Sequence, residues 1–152
     1  MKIYKYIIVF FITISLNSCF NPGSYPYAER YGSEVSEQEL INAVEKFREN
    51  NPEYYVPLEY YKNVGRRNKN DHWYHIYFYY KADNKVIYTW IRGGRNASTF
   101  AFVAIGDGAN FNYSKLINND FSRKENKKHK EQFERLIVSE IRKYVEEIKK
   151  NE

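Results

Sequence analysis

The clearest pattern along the chain is an alternation of aromatic and aliphatic residues in two neighbouring stretches, residues 73–80 and 85–92. Both stretches are rich in aromatic and β-branched side chains, which fit the pleated surface of a strand. The residues between them, 81–84, have turn-forming composition. The pattern therefore predicts a β-hairpin in which Tyr80 pairs with Lys85.

The predicted hairpin has two different faces, because successive side chains on a strand point to opposite sides. One set, the aromatic face, consists of Trp73, His75, Tyr77, Tyr79, Tyr88, Trp90 and Arg92. The other set, the core face, consists of Ile76, Phe78, Ile87, Thr89 and Ile91. A two-residue turn would change the pairs but not the faces, because both registers have the same parity.

Two capping boxes predict the starts of two helices. In Ser36–Glu39 and in Ser122–Glu125, a serine can cap the amide three residues on, and the glutamate can reach back. Apolar residues then recur at helical spacing. The pattern predicts a first helix at about 37–49 and a long amphipathic helix at about 123–148.

Two further stretches have strand character. Residues 54–61 have strand composition, but Pro57 lacks an amide proton and restricts them to an edge strand or an irregular crossing. Residues 99–105 are apolar on both faces, which predicts a well-covered third strand. The face that Phe100 and Phe102 join stays open, because one residue more or less in the preceding loop would exchange them.

These elements predict a two-layer α+β domain. We expect a mainly antiparallel sheet of three or four strands, packed with an N-terminal helix and a long C-terminal helix. The length of 152 residues fits one such domain. The expected core combines the core face of the hairpin with the last helix, and its central members are Ile76, Phe78, Ile87, Ile91, Phe133, Ile137 and Ile141.

The first 18 residues have the features of a secretory signal peptide rather than of a folded element. Lys2 and Lys5 give a positive start, and residues 7–16 form an apolar run that is too short to span a bilayer comfortably. The alternative is a transmembrane anchor. We expect residues 1–18 to be removed as a signal peptide.

The residues that follow the apolar run, Leu16-Asn17-Ser18-Cys19, resemble the lipobox of bacterial lipoproteins. The resemblance implies cleavage before Cys19 and acylation of its sulfur and its new amino group. Because no Asp follows Cys19, the resemblance also implies an anchor in the outer membrane that faces the periplasm. Residues 19–35 are rich in Pro, Gly and Ser and are predicted to be a flexible tether. Residues 36–152 then form the domain.

The charge of the chain gives no indication of a nucleic-acid partner. The 24 basic and 19 acidic residues include Lys2 and Lys5, so removal of the signal peptide leaves a net charge of +3. Binding of nucleic acid requires a clustered basic stripe. The one basic cluster, residues 123–130, lies at the polar start of a predicted helix.

No arrangement of residues in the sequence predicts catalysis, a metal site or a cofactor. Asp71, His72 and His75 are close in sequence, but histidines three apart on a strand point to opposite faces, and no third ligand is available. A structural histidine is the simpler interpretation. No Gly-x-Ser-x-Gly motif is present, and Cys19, the single cysteine, is assigned to the lipid.

The aromatic face is the candidate binding site. Tyr and Trp are enriched at binding surfaces, because they give contact area at low entropic cost. The candidate residues are Trp73, His75, Tyr77, Tyr88, Trp90 and Arg92, which could form a flat platform for an envelope protein, a peptide or a glycan. The alternative is that the N-terminal segment or the first helix covers this face, which would make it core.

The sequence thus predicts a lipid-anchored envelope protein that acts as a non-catalytic binding module. One alternative is a more specialised binder, a lipoprotein that neutralises a toxin or inhibits an enzyme. A second alternative is a small periplasmic hydrolase.

The first testable prediction concerns the anchor. We expect the isolated protein to begin at Cys19 and to carry fatty acyl groups there, which intact-mass spectrometry can measure. The Cys19→Ala variant should be unacylated and should leave the membrane fraction. An intact Met1 or an unmodified Cys19 in the wild-type protein would contradict the lipobox interpretation.

Overall fold

The structure is a computed structural model that describes residues 24–60, 63–108 and 114–150. The predictions for the signal peptide, the lipobox and Cys19 lie outside these residues. The helices and strands, in chain order, are β1 (Glu29–Ser33), α1 (Glu37–Asn50), β2 (Tyr74–Tyr80), β3 (Lys85–Gly93), β4 (Ser98–Asp107), β5 (Lys115–Leu116), α2 (Arg123–Phe133) and α3 (Ser139–Lys150).

The strands form one antiparallel sheet in the order β1–β4–β3–β2, and β5 also pairs with β4. A π-helical turn, Glu134–Val138, joins α2 to α3, so that they run on as one helix of 28 residues. The predicted α+β fold is confirmed. Among the described residues, no helix combines the length and the apolarity needed to cross a membrane.

The hairpin has the predicted register. Tyr80 pairs with Lys85, and further along Tyr77 pairs with Tyr88. A short 3₁₀ turn connects the strands and ends at Asn84, whose φ of 48° is left-handed. Asn tolerates this conformation better than most residues, because its short polar side chain can hydrogen-bond locally.

A β-bulge in β4 determines the face of the sheet on which Phe100 and Phe102 lie. Tyr88 pairs with Ala104, but the next residue of β3, Thr89, pairs with Phe102, so Val103 is an extra residue on β4. Phe100 and Phe102 therefore lie in the core with the helices. Val103 and Ala104 both lie on the aromatic side of the sheet. Such an extra residue locally reverses the alternation of faces.

The core lies between the core face of the sheet and the helices. The seven predicted core residues, Ile76, Phe78, Ile87, Ile91, Phe133, Ile137 and Ile141, are all at most 2% exposed. The long helix packs here through residues at helical spacing, and both helices begin at the predicted capping boxes. Helix α1 packs on the same face, with Leu40, Val44 and Phe47 buried.

Residues 29–33 differ from their prediction, and residues 54–60 adopt one of the two predicted alternatives. Residues 29–33 were included in the predicted tether, but they form β1 and pair with β4 from Glu29 to Ser33. Tyr31 of this strand packs on Phe133, with ring centroids 5.8 Å apart, so part of the N-terminal stretch belongs to the core. In the second stretch, Pro52–Tyr54 and Leu58–Tyr60 are short 3₁₀ turns, which is the irregular crossing that Pro57 allowed.

Candidate functional site

The aromatic face is largely covered, which corrects the expectation of an open platform. His75 is 1% exposed, Trp90 4%, Tyr88 7% and Tyr77 8%. Of the six candidate residues, only Trp73 and Arg92 keep substantial exposure. The cover comes from the N-terminal segment, as one alternative anticipated, and from the crossing around Val56. Helix α1 lies on the opposite face and contributes nothing to this cover.

Tyr25 is the central residue of the cover. Its ring lies 5.2 Å from that of Trp73 in an edge-to-face arrangement, 5.9 Å from Trp90 and 6.0 Å from Tyr88, measured between centroids. Edge-to-face aromatic pairs contribute about 0.5–1.5 kcal/mol beyond the area they bury. Two edge-to-face neighbours, Trp73 and Tyr88, and the tilted ring of Trp90 together explain why a short segment can stay on the sheet.

A chain of hydrogen bonds also holds Tyr25 to the sheet. Its hydroxyl lies 2.7 Å from the hydroxyl of Tyr88, which lies 2.7 Å from Nδ1 of His75. Nε2 of His75 lies 2.9 Å from Oδ2 of Asp71. Because an ionised carboxylate can only accept, the network assigns the proton of neutral His75 to Nε2. Tyr88 then donates to Nδ1, and Tyr25 donates to Tyr88.

Asp71 is held in its ionised form at the end of this chain. Burial raises the pKa of its carboxyl group, but hydrogen bonds from the backbone amides of Trp73 and Arg67 and from His75 outweigh that effect and bring the pKa to about 2. Oδ1 accepts from the Trp73 amide at 3.1 Å, and Oδ2 accepts from the Arg67 amide at 3.1 Å. The carboxylate can therefore orient His75 at any ordinary pH.

His75 and Tyr88 are both held in their neutral forms. Burial lowers the pKa of His75, and this effect outweighs the hydrogen bond that His75 donates to Asp71, which raises the pKa. Burial also raises the pKa of Tyr88 far above its ordinary value. Both ring nitrogens of His75 have partners within the domain, Asp71 at Nε2 and Tyr88 at Nδ1. An activated nucleophile would need a lowered pKa, and Tyr88 has the opposite.

One open part of the aromatic face is a cleft of about 330 Å³ at the end of the sheet where β3 and β4 meet. We call it the arginine cleft. Its lining residues are Ser24, Tyr25, Arg30, Trp73, Trp90, Arg92, Gly93 and Thr99. The walls are aromatic and the rim is basic, and no carboxylate is among the lining residues.

Each of two arginines lies over an indole ring in this cleft. The Arg92 Cζ atom is 5.5 Å from the ring centroid of Trp73, which is the contact that the hairpin register predicts. The Arg30 Cζ atom is 6.0 Å from that of Trp90. Among the described residues, neither guanidinium group has an ionic partner. The buried Nε1 of Trp90 likewise finds no acceptor there.

The structure thus divides the six predicted site residues into two groups. Trp73, Trp90 and Arg92 line the arginine cleft, whereas His75, Tyr77 and Tyr88 lie beneath the cover. Sequence reasoning missed Tyr25 and Arg30, because both lie in the predicted tether. It also missed Asp71 as the partner of His75.

The link to Asp71 has a local signal in the sequence. Its side chain accepts from the amide two residues on, which is an Asx-turn, and this turn brings the carboxylate back towards the strand. An aspartate just before a predicted strand was therefore a usable sign. Tyr25 had no such sign, because its contacts depend on residues far away in the sequence.

Comparison with known proteins finds no match: no family model, curated protein or solved structure matches the chain. The function is therefore inferred from the chain's own residues.

The buried His75 predicts that the protein is less stable in mild acid. The unfolded state takes up a proton near the ordinary histidine pKa of 6.5, whereas folded His75, with its lowered pKa, does not. The free energy of unfolding should therefore fall as the pH drops from 7.5 to 5, with a contribution from this group of up to about 1.4 kcal/mol per pH unit. Urea unfolding at several pH values measures this.

The comparison of two variants isolates the group responsible. His75→Gln should flatten the pH dependence, although it lowers stability overall. His72→Gln is the matched control, because His72 is exposed, and it should keep the wild-type slope. His129, whose pKa burial and Lys128 also lower, stays in both variants and contributes equally to each. A wild-type slope in the His75 variant would show that His75 is not buried as a neutral group.

Proposed function

We propose that the chain is a lipid-anchored protein of the bacterial cell envelope that binds a partner through the arginine cleft and catalyses no reaction. The observation that carries the binding part is the pair of arginines, Arg30 and Arg92. Each is held over an indole ring, and neither has an ionic partner among the described residues. The anchor rests on the resemblance of residues 16–19 to a lipobox.

The cleft has the composition of a binding hot spot. Trp, Tyr and Arg dominate such sites, because large side chains in a shaped depression exclude water from their contacts. The volume of about 330 Å³ lies at the lower end of ligand pockets and suits one side chain or one sugar ring. The partner would be an envelope protein, a peptide or a glycan that places one such group in the cleft.

The walls of the cleft are fixed before any partner arrives. Trp90 and Thr99 are on paired central strands, and Tyr25 is held by its hydroxyl and by its ring contacts. A site that is already ordered loses less entropy on binding than one that must be assembled. The hydrogen-bond chain to Asp71 thus has a positioning role for the cleft.

The position of the cleft also fits an anchored binder. Tyr25 follows Cys19 by six residues, and an extended chain spans at most about 3.6 Å per residue. The cleft would then lie within about 22 Å of a lipid on Cys19. Such a protein would meet its partner at the membrane surface rather than far out in the periplasm.

The second candidate function is a small hydrolase, and the Asp71–His75 pair is the observation that favours it. A carboxylate that orients a histidine is part of many catalytic triads. Here the third residue is Tyr88, whose raised pKa keeps its hydroxyl protonated, and His75 is 1% exposed. These two facts favour a structural role for the hydrogen-bond chain from Tyr25 to Asp71. They therefore support the proposal of a non-catalytic binding module. An inhibitor or toxin-neutralising protein would be a special case of that module, recognised by a tight one-to-one complex.

Site-specific photocrosslinking in cells tests the proposal. A photoreactive amino acid at Thr99, inside the arginine cleft, should give a discrete adduct in the membrane fraction. The same amino acid at Lys124, which is exposed at the start of α2, is the matched control and should not give that adduct. The adduct should also weaken in the Trp73→Ala variant. The same adduct at both positions, or no adduct at Thr99, would contradict binding through this cleft.

A further inference from the structure

The arginine cleft indicates the chemistry of its ligand as well as its location. Its lining residues include two guanidinium groups and no carboxylate. Two carboxylates beside lining residues have other partners: Glu29, which precedes Arg30, pairs with Lys130 at 3.0 Å, and Glu37, which accepts from the Gly93 amide, pairs with Arg66. Among the described residues, the two arginines of the cleft therefore keep a positive charge that no carboxylate neutralises.

The sheet places the two arginines so that they can act together. Arg30 is on β1 and Arg92 on β3, and both strands flank β4. Arg30 pairs with Ala101, and Ala101 pairs with Trp90, so Arg30 reaches across β4 to the Trp90 ring. Strands lie about 4.8 Å apart and rise about 3.3 Å per residue, and Arg92 is two residues beyond Trp90, which puts the two arginine backbones roughly 12 Å apart. Side chains of this length can converge on one group between them.

Two arginines that lie over aromatic rings in one cleft suit an oxyanion with an apolar neighbour. Guanidinium groups bind carboxylates and phosphates through paired, charge-assisted hydrogen bonds. Thr99 adds a hydroxyl at the floor of the cleft, and the rings of Trp73 and Tyr25 add flat apolar walls. Both walls can contact the body of a ligand whose charged group lies between the arginines.

We infer that the arginine cleft binds a carboxylate or phosphate group attached to a ring-sized body, and that Arg30 and Arg92 share this oxyanion. The inference rests on the proposed binding function and adds the class of ligand. The same chemistry could come from an acidic sugar or from the carboxylate of a peptide with an aromatic last residue. The test therefore needs one arm for each source.

The two tryptophans of the chain give a direct readout in nuclear magnetic resonance. The ¹⁵N-labelled full chain in detergent micelles should show two indole N–H signals, which the Trp73→Phe variant assigns. The sugar arm titrates D-glucuronate and glucose 6-phosphate against glucose. The peptide arm titrates N-acetylphenylalanine against its uncharged amide. Potassium chloride keeps the ionic strength equal in every sample.

In at least one arm, the charged member should shift an indole signal saturably and bind at least tenfold more tightly than its neutral counterpart. A charge-assisted hydrogen bond contributes about 1.5–3 kcal/mol, which corresponds to roughly 10- to 150-fold in affinity. Arg30→Gln and Arg92→Gln should each weaken binding at least tenfold. Arg95→Gln, an exposed arginine in the next loop, is the control and should change nothing.

Two results would overturn the inference. One is equal binding of charged and neutral members, which would leave the cleft as a binding site but remove the oxyanion. The other is the absence of any saturable shift with the charged members up to about 20 mM. The photocrosslinking at Thr99 reports separately on whether a partner occupies the cleft, so failure of the ligand class and failure of the binding function are distinguishable.

Discussion

The structure depends on one constraint: both faces of the β2–β3 hairpin carry large apolar or aromatic side chains, so both must be covered. Helices α1, α2 and α3 cover the core face. The N-terminal segment and the crossing around Val56 cover most of the aromatic face. Burial of a large apolar side chain contributes about 1.5–3 kcal/mol to the free energy of unfolding. Leaving either face in water would therefore lower the stability of the domain.

The cover of the aromatic face also creates the candidate site. Tyr25 packs against Trp73, Tyr88 and Trp90 and leaves a cleft open at the end of the sheet where Arg30 and Arg92 lie. The buried hydrogen-bond chain fixes Tyr25 from below. The segment around Tyr25 thus buries the aromatic face of the sheet, and the same segment forms one wall of the arginine cleft. Stability and the proposed binding function share these contacts.

Elements with local signals could be predicted from the sequence. The hairpin register followed from strand alternation and a turn, and both helices followed from a capping box and helical spacing. The core residues followed in turn, because periodicity determines which face is buried. The Arg92–Trp73 contact is a direct consequence of that register.

The cover could not be predicted, because its contacts are distant in sequence. The hydroxyl of Tyr25 contacts that of Tyr88, which is 63 residues away. β1 has only five residues and lies in a stretch whose Pro, Gly and Ser content indicates a tether. Pairing with the edge of β4 overrides that local composition. The exposure of the aromatic face therefore depends on β1 and on the segment around Tyr25, and no local sequence pattern predicts either of them.

Tyr25 covers Trp90, and quenching of tryptophan fluorescence by acrylamide measures how completely it does so. In a Trp73→Phe background, Trp90 is the only tryptophan, so its accessibility can be measured alone. We expect quenching several-fold weaker than for a free indole, and clearly stronger quenching when Tyr25→Ala is added, with the circular dichroism spectrum unchanged. Strong quenching of Trp90 while Tyr25 is present would contradict it.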